Sequence, residues 1–209
     1  FLPDRYVEGT CPNCGFERAR GDQCDNCGTL LDPIELKNPR SKISGSTNVE
    51  PRDTAHLFLK QPKMQEQIRA WVDKATEWPA LARSIAYKWL DEGLIDRSIT
   101  RDLSWGIKVT QNGKPRPGFE NKVFYVWFDA LLNYATAVGY GAEPDSADGR
   151  RFAECWPPDV NLVGKDILRF HAVYWPAMLM AAGLEPPRKV FAHGWLLVGG
   201  EKMSKSKLT

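Results

Sequence analysis

The chain contains no apolar run long enough to cross a membrane, since a spanning helix needs about 20 consecutive apolar residues. It also has little net charge, because 28 basic residues are nearly balanced by 26 acidic ones, which leaves +2 at pH 7. This balance argues against a strongly electrostatic nucleic-acid binder, although local basic patches are compatible with it. A hydrophobic share of 43% is ample for a core, so 209 residues accommodate one large domain or two small ones.

Four of the five cysteines form two closely spaced pairs, Cys11 with Cys14 and Cys24 with Cys27. A glycine that permits close backbone approach follows each pair. Two such hooks suit one tetrahedral Zn²⁺ bound by four thiolates, a closed ligand set that is typical of a structural site. Two disulfides are the alternative, but Cys-x-x-Cys is a poor geometry for a structural disulfide and nothing indicates secretion. We interpret Cys155 as an ordinary buried or half-buried thiol.

Two amphipathic helices are predicted after the cysteine hooks. Apolar residues recur at helical spacing over 64–75 and again over 81–90, where Gly93 is placed to end the second helix. Residues 55–59 are predicted to form a short strand before them. We therefore expect residues 1–118 to form one domain that combines the cysteine region with two helices.

A different pattern begins after a glycine- and proline-rich loop that ends at residue 118. The alternation of strands and helices over 119–198 predicts an α/β fold with a parallel sheet, whose ligands bind at the carboxyl ends of the strands. The predicted elements are apolar strands over 123–128, 161–163 and 189–192, with helices over 129–138 and 166–182.

Aromatic and imidazole side chains cluster at the predicted strand ends. Two predicted helices would bring six residues around one cavity: Trp127, Ala130, Tyr134, Ile167, His171 and Trp175. The last three share one helix face, because they are spaced at i, i+4 and i+8. Such a cavity suits an apolar, polarisable ligand, since each thioether–aromatic contact contributes about 0.3–1.5 kcal/mol. Periodicity by itself favours the alternative that this stripe is part of the core.

Gly164 and Asp166 directly follow the second predicted strand. Glycine permits a ligand to approach the backbone, and an acidic residue at this place can accept hydrogen bonds from ribose hydroxyls. The alternative role for Asp166 is a helix N-cap, which the residues alone favour.

A lysine- and serine-rich segment, Lys202-Met203-Ser204-Lys205-Ser206, follows the Gly199-Gly200 turn. Lysine ammonium groups bind phosphate as point charges, and serine hydroxyls with turn N–H groups add donors. Residues 199–209 are therefore predicted to form an exposed, mobile loop that contacts phosphate. A solvated basic tail is the alternative for a stretch of this composition.

Taken together, these motifs resemble the methionyl-tRNA synthetases, a family of class I aminoacyl-tRNA synthetases. The lysine segment resembles the second signature of that class, which closes on the pyrophosphate of ATP. The resemblance covers nearly the whole chain, and the order and spacing of the motifs agree with it. The other motifs that carry it are Leu2-Pro3-Asp4-Arg5, the cysteine hooks, Ile99-Thr100-Arg101-Asp102, residues 124–130, Gly164-Lys165-Asp166-Ile167, Phe170-His171, residues 175–179 and His193-Gly194.

The resemblance implies roles for individual residues. It implies a methionine pocket lined by Trp127, Ala130, Leu131, Tyr134, Ile167, His171 and Trp175, with Leu131 where some relatives carry proline. It implies ATP contacts from Gly164, Asp166, His193, the backbone near Leu196, and Lys205. It implies catalytic roles for Lys202 and Lys205, which stabilise phosphate charge, and for Arg101, which organises the bound substrates.

The resemblance also implies a fold and a reaction. The fold is α/β, with the second half of a Rossmann-like parallel sheet preceded by a zinc-bearing connective domain. Methionine reacts with Mg-ATP to give methionyl-adenylate, and the methionyl group is then transferred to the 3′ end of tRNA(Met). Two-zinc relatives carry cysteine where this chain has Ser41 and Ser44, so one structural zinc is expected. We expect a cytoplasmic enzyme with no membrane partner.

Two motifs of that family are not among these 209 residues: the His-Ile-Gly-His signature and the helical anticodon-binding domain. We therefore expect the other half of the catalytic domain as a partner, and an inactive segment without it. A zinc-knuckle module that binds nucleic acid is one alternative, which the near-neutral charge disfavours. A class I synthetase for another aliphatic amino acid is the second, but the span from the hooks to residue 123 has no room for a large editing insert.

Overall fold

Short strands and helices alternate along the computed structural model, which describes residues 2–29 and 31–203. In chain order, the strands among these residues are β1 (Val7–Thr10), β2 (Ala19–Arg20), β3 (Lys37–Ser41), β4 (Phe58–Leu59), β5 (Arg97–Ser98), β6 (Thr100–Arg101), β7 (Thr110–Gln111), β8 (Lys114–Pro115), β9 (Val123–Phe124), β10 (Asn161–Gly164), β11 (Val190–His193), β12 (Leu197–Val198) and β13 (Glu201–Lys202). The α-helices are α1 (Gln65–Lys74), α2 (Ala80–Glu92), α3 (Val126–Thr136), α4 (Ala147–Cys155) and α5 (Trp175–Ala181).

These elements belong to two separate units, each of which is described by itself. The cysteine unit comprises the described residues of Phe1–Leu57 and Thr100–Phe124. The α/β unit comprises those of Phe58–Ile99 and Tyr125–Thr209. Among the described residues, no helix combines the length and the apolar character that a membrane crossing requires.

The cysteine unit contains an antiparallel sheet in the order β2-β1-β3. A Cβ atom at Gly9 would lie only 2.7 Å from the Lys37 carbonyl oxygen, so glycine lets β1 and β3 approach at a shift of their register. The buried cluster of this sheet is small, and it consists of Val7, Cys11, Ala19, Cys24 and Leu36. So little apolar surface stabilises a fold weakly, which makes a cross-link through the cysteines physically important.

The α/β unit contains the larger core. Its helices α1 and α2 pack against each other through fully buried side chains, among them Ile68, Val72, Ala82 and Leu90. Helix α2 ends at Gly93, whose φ of 84° is the left-handed backbone that glycine adopts without strain. Both helices were predicted from the spacing of apolar residues, and the structure confirms them.

Strands β10 and β11 form a parallel pair, as predicted, with Asn161 opposite Val190 and Gly164 opposite His193. Val163 and Val190 are buried in the core, whereas Leu162 and Phe191 are exposed on the other face. The carboxyl ends of both strands therefore meet at one edge, where the candidate nucleotide residues lie. The described part of the chain is mixed α and β.

The predicted strand over 123–128 is wrong after its second residue. Only Val123–Phe124 forms a strand, and it pairs antiparallel with β6 rather than with the parallel strands. Helix α3 begins at Val126, earlier than the predicted start at residue 129. Periodicity cannot distinguish a short apolar run in a strand from one in a buried helix. Phe128, Leu131 and Ala135 recur at helical spacing, and Leu131 and Ala135 are buried, so the helix is the structure that buries them.

The predicted helix over 166–182 is interrupted. It starts as a 3₁₀ turn at Lys165–Ile167, widens to a π-helical turn at Phe170–Tyr174, and continues as α5. Pro176 lies in the first turn of α5. Because proline has no N–H group and clashes with the carbonyl four residues earlier, a regular α-helix through this position is disfavoured. The wider turn accommodates the proline at the expense of regular helix geometry.

Two further elements differ from the expectation. The strand predicted over 55–59 is limited to Phe58–Leu59, which pairs antiparallel with β5. Helices α1 and α2 were expected in a domain with the cysteine hooks, but they pack in the α/β unit. The predicted boundary at residue 118 therefore does not coincide with a division between the two units.

Ile68→Ala tests the α1–α2 contact. Ile68 is completely buried, so we expect the free energy of unfolding to fall by about 2–5 kcal/mol through lost burial and a residual cavity. Ile95→Ala is the matched control, because Ile95 is 74% exposed and should change stability by less than about 0.5 kcal/mol. Denaturant melts measure both variants, and similar losses would contradict the assigned packing.

Candidate functional site

Three candidate nucleotide residues lie at the carboxyl edge of the parallel pair. Gly164 ends β10, Asp166 follows in the 3₁₀ turn, and His193 ends β11 directly opposite Gly164. A Cβ atom at Gly164 would lie 3.8 Å from the His193 ring, so the backbone and the imidazole are in van der Waals proximity. The parallel register thus brings together residues that are 29 positions apart in the sequence.

The Asp166 carboxylate is engaged by a residue that the sequence analysis did not select. The indole Nε1 of Trp195 donates to both carboxylate oxygens, at 2.9 Å and 2.8 Å. The Lys165 ammonium group lies 3.6 Å from the centroid of the same indole ring, in cation–π geometry. Two charged side chains of one turn therefore hold Trp195 from its edge and from its face.

Three of the predicted methionine-pocket residues are in contact. The Tyr134 hydroxyl lies 2.9 Å from His171 Nε2, and the rings of Tyr134 and Trp175 are 6.1 Å apart. His171 Nδ1 lies 3.0 Å from the Ile167 carbonyl oxygen, which can only accept a hydrogen bond. Nδ1 therefore carries a proton, and in a neutral imidazole the Tyr134 hydroxyl donates to Nε2.

Burial reinforces this neutral state. His171 is 1% exposed, and burial lowers the pKa of its imidazole, although the hydrogen bond to Ile167 acts in the opposite direction. Burial likewise raises the pKa of the Tyr134 phenol. Tyr134 and His171 therefore form an uncharged, hydrogen-bonded pair that can line a pocket for an uncharged ligand.

The remaining pocket residues are distributed around this pair. Trp127 stacks on Phe170, with ring centroids 4.2 Å apart and an interplanar angle of 18°. Trp127 and Leu131 also line a small apolar cavity of about 20 Å³, enough for roughly one water molecule. Leu131 is buried, Ile167 is half-buried and Ala130 is exposed. The structure thus places Tyr134, His171 and Trp175 together and gives Trp127 a different aromatic partner.

The four predicted metal ligands lie close together. Sγ of Cys11 is 3.9 Å from that of Cys27, Sγ of Cys14 is 3.7 Å from that of Cys24, and all four sulfur atoms are within 4.8 Å of one another. All the cysteines are free, and Cys155 is exposed rather than buried. A disulfide bond is about 2.05 Å long, so this geometry does not support the disulfide alternative. The four cysteines could hold a metal ion.

Side chains around Cys14 and Cys27 favour their thiolates. Backbone hydrogen bonds lower the pKa of Cys24, but burial and contacts with the neighbouring thiols outweigh them and raise it to about 11. Asn13 and Asn26 donate from Nδ2 toward Cys27 and Cys14, each at 3.6 Å. Hydrogen bonding by Thr29, through its side chain and backbone, lowers the pKa of Cys27 to about 6. Because a thiolate is the form of cysteine that binds metals, these contacts suit metal ligation.

Arg101 lies on β6 in the cysteine unit, and its Nη1 donates to the Thr100 carbonyl at 2.7 Å. A polar network that the sequence analysis missed fixes its neighbours. Lys122 Nζ lies 2.5 Å from Asp102 Oδ1, and His56 Nδ1 lies 2.9 Å from Thr100 Oγ1. Burial alone would raise the pKa of Asp102, but the hydrogen bonds from Lys122 and Thr54 lower it overall. Nothing in the local sequence pattern links Lys122 to Asp102, which pair over 20 residues.

The lysine segment begins in the second strand of a hairpin. Strands β12 and β13 pair antiparallel through a turn at Gly199 and Gly200, which have φ values of 60° and 85°. The carbonyl of Leu196 accepts a hydrogen bond from Met203 N at 2.9 Å. Lys202 belongs to β13 by its backbone, whereas the predicted catalytic Lys205 lies outside the described residues.

Comparisons with known proteins identify the family to which the chain belongs. The family described as "tRNA synthetases class I (M)" matches residues 1–209. The chain is 57% identical, over 219 aligned residues, to the methionine–tRNA ligase of Maricaulis maris (strain MCS10), with 99% of this chain and 37% of that relative covered. The methionine–tRNA ligase of Caulobacter vibrioides (strain NA1000 / CB15N) is also 57% identical, with 99% and 38% covered.

Solved structures give the same result. A methionyl-tRNA synthetase of Mycobacterium tuberculosis bound by methionyl-adenylate is 37% identical with a TM-score of 0.63, over 81% of this chain and 32% of that one. A second structure of that enzyme with methionyl-adenylate is 36% identical with a TM-score of 0.64, over 85% and 34%.

These matches define the class, which is that of the class I tRNA synthetases. Within it, the chain belongs to the family of tRNA synthetases class I (M), as the resemblance of its motifs predicted. The chain spans little more than a third of the length of the curated relatives that it matches.

His171→Gln tests the neutral imidazole. Because its pKa in the folded protein is below the unfolded value of about 6.5, the unfolded state takes up a proton more readily as pH falls below that value. We expect the free energy of unfolding to fall between pH 7 and pH 5, and to fall less in His171→Gln. Denaturant melts across this range measure it, and an unchanged slope in His171→Gln would contradict the assignment.

Proposed function

We propose that the full-length protein carrying this chain is a methionine–tRNA ligase. It joins methionine to ATP to form methionyl-adenylate and then transfers the methionyl group to tRNA(Met). The observation that carries the proposal is the 57% identity to methionine–tRNA ligases along 99% of the chain. The described chain contributes the parallel pair and its edge, and it covers only part of such an enzyme.

The methionine side chain would bind beside the neutral pair of Tyr134 and His171. Trp175 supports this placement, because its indole Nε1 is buried and has no hydrogen-bond partner among the described residues. A thioether is a weak acceptor and a polarisable neighbour for aromatic rings, so it suits these groups. Trp127, Ala130, Leu131 and Ile167 would complete the pocket.

ATP would bind at the carboxyl edge of β10 and β11. Gly164 permits backbone approach, Asp166 would accept from the ribose hydroxyls, and His193 with the backbone of Leu196 would face the nucleoside. The methionine carboxylate attacks the α-phosphorus, the bond to the bridging oxygen breaks, and pyrophosphate leaves with the electron pair. Lys202 and Lys205 would stabilise the negative charge on pyrophosphate, and Arg101 would orient the reactants.

Zinc is the metal that we propose for the four cysteines. Tetrahedral Zn²⁺ with Zn–S bonds of about 2.3 Å requires sulfur atoms about 3.8 Å apart. Two of the sulfur pairs are close to this value, at 3.9 and 3.7 Å, and all four sulfur atoms lie within 4.8 Å of one another. Four protein ligands leave no position for substrate, so the metal would stabilise the small cysteine unit rather than take part in the reaction. This unit would act as a zinc-bearing connective insert before the second half of a Rossmann-like sheet.

Metal analysis of Cys11→Ser tests the zinc proposal. Cys11 is 1% exposed, so its replacement removes an inward-facing ligand. We expect about one equivalent of zinc in the parent protein, and loss of most of it with a lower melting temperature in the variant. Cys155→Ser is the matched control, and it should retain the metal because Cys155 lies outside the cluster. Full zinc retention in Cys11→Ser, or a parent that binds no zinc, would refute the four-thiolate site.

Amino-acid-dependent exchange of pyrophosphate into ATP tests the activity in the full-length protein. We expect methionine to support exchange far better than leucine or isoleucine. Tyr134→Phe should raise KM for methionine by roughly two- to tenfold, because it removes the hydrogen bond between Tyr134 and His171 Nε2 beside the bound side chain. Tyr140→Phe is the control, because both tyrosines are 39% exposed and Tyr140 packs on Phe152 instead. If leucine or isoleucine supports exchange and methionine does not, the result would favour another class I synthetase. If the protein binds nucleic acid but supports no exchange, the result would favour the zinc-knuckle module.

A further inference from the structure

We propose that Trp195 is a latch on the nucleotide site, in which its indole N–H occupies the Asp166 carboxylate until the ribose of ATP displaces it. The proposal rests on the function proposed above, since it takes Asp166 as the group that accepts the ribose hydroxyls. Trp195 itself is assigned no role by the sequence motifs.

The contact competes directly with a ribose. Nε1 of Trp195 is almost equidistant from the two Asp166 oxygens, at 2.9 Å and 2.8 Å, so the N–H group lies in front of the carboxylate. The 2′ and 3′ hydroxyls of a ribose sit on adjacent carbon atoms, and a carboxylate binds such a diol by accepting one hydrogen bond at each oxygen. The indole N–H and the ribose diol would therefore occupy the same side of the Asp166 carboxylate. The ribose can bind there only after the indole has left.

The indole is held strongly enough for its release to matter. A hydrogen bond to an ionised acceptor is about twice as strong as one between neutral groups. The Lys165 ammonium group lies over the ring at 3.6 Å and adds a cation–π attraction. Lys165 and Asp166 are consecutive in one short turn, so a single element fixes both the face and the edge of the indole.

The surroundings give the indole room to leave. Trp195 is 44% exposed, and an added Cβ atom at the preceding Gly194 would meet nothing within 4 Å. The following residue, Leu196, accepts a hydrogen bond from Met203 N and leads into the β12–β13 hairpin. Trp195 therefore lies two residues before β12, in the segment that leads into this hairpin.

A purely orienting role would have the opposite consequence. If Trp195 only held Asp166 in a productive position, loss of the indole N–H would weaken ATP binding. If Trp195 is a latch, loss of the N–H removes a competitor and ATP binds more tightly. The direction of the change separates the two roles, and a ligand without the diol isolates the step at Asp166.

Trp195→Phe in the full-length protein keeps an aromatic ring under Lys165 but removes the donor. Calorimetry with ATP and with 2′,3′-dideoxy-ATP measures both affinities. We expect the variant to bind ATP roughly tenfold more tightly, as the loss of a competing hydrogen bond to a charged group predicts, and to bind dideoxy-ATP with unchanged affinity. Weaker or unchanged ATP binding, or an equal gain for both nucleotides, would overturn the latch.

Two controls keep this result separate from the proposed function. Trp105→Phe removes an indole N–H from a residue that is 89% exposed in the cysteine unit, and it should leave both affinities unchanged. In the parent protein, the indole N–H resonance that is lost in Trp195→Phe should shift with ATP and stay in place with dideoxy-ATP, which tests the latch without relying on a variant's fold. Nucleotide binding without methionine-dependent exchange would reject the ligase function, whereas exchange with the wrong direction in Trp195→Phe would reject only the latch.

Discussion

The parallel pairing of β10 with β11 is the interaction on which the candidate site depends. Four backbone positions in register place Gly164 opposite His193. The turns that follow the two strands carry Asp166 and Trp195, so they meet at the same edge. A shift of either strand by one residue would turn its buried valine, Val163 on β10 or Val190 on β11, out of the core and separate the polar groups at the edge. Burial of these two valines therefore also fixes the geometry of the candidate nucleotide-binding residues.

The two units use different physical means to stay folded. The α/β unit buries two helices and a set of large side chains, among them Trp175 and Leu179, so apolar burial supplies most of its stability. The cysteine unit buries few apolar side chains around its sheet, and beside this small core lie polar contacts and four cysteines that could hold a metal ion. Lys122 and Asp102 illustrate the polar contacts of this unit. The buried charge of Lys122 is tolerated because it is paired with the Asp102 carboxylate. The same network holds Thr100 and Asp102, the residues on either side of Arg101, and so positions the backbone of Arg101.

Much of this arrangement could be predicted from the sequence, and the failures have physical reasons. The hooks of Cys11 and Cys24 and the α2 terminator Gly93 are local signals, because spacing and backbone freedom determine them. The motif around Asp166 was correctly placed after a strand for the same reason. The run over 123–128 misled, because apolar residues without alternation fit a strand and a buried helix equally well. Contacts between distant residues, such as Trp195 with Asp166, leave no periodic trace in the sequence.

The widened turn at Phe170–Tyr174 gives the aromatic stripe a geometry that a regular helix cannot supply. A π-helical turn contains about one residue more than a turn of the α-helix that follows it. It therefore also changes the direction in which later side chains project. If the same residues wound as a regular α-helix instead, the difference of about one residue per turn would rotate every following position by roughly 100°. Trp175 would then leave Tyr134, while the core positions of α5 would turn toward other neighbours. The position of Trp175 therefore depends on the wide winding of this turn rather than on the identity of any one residue in it.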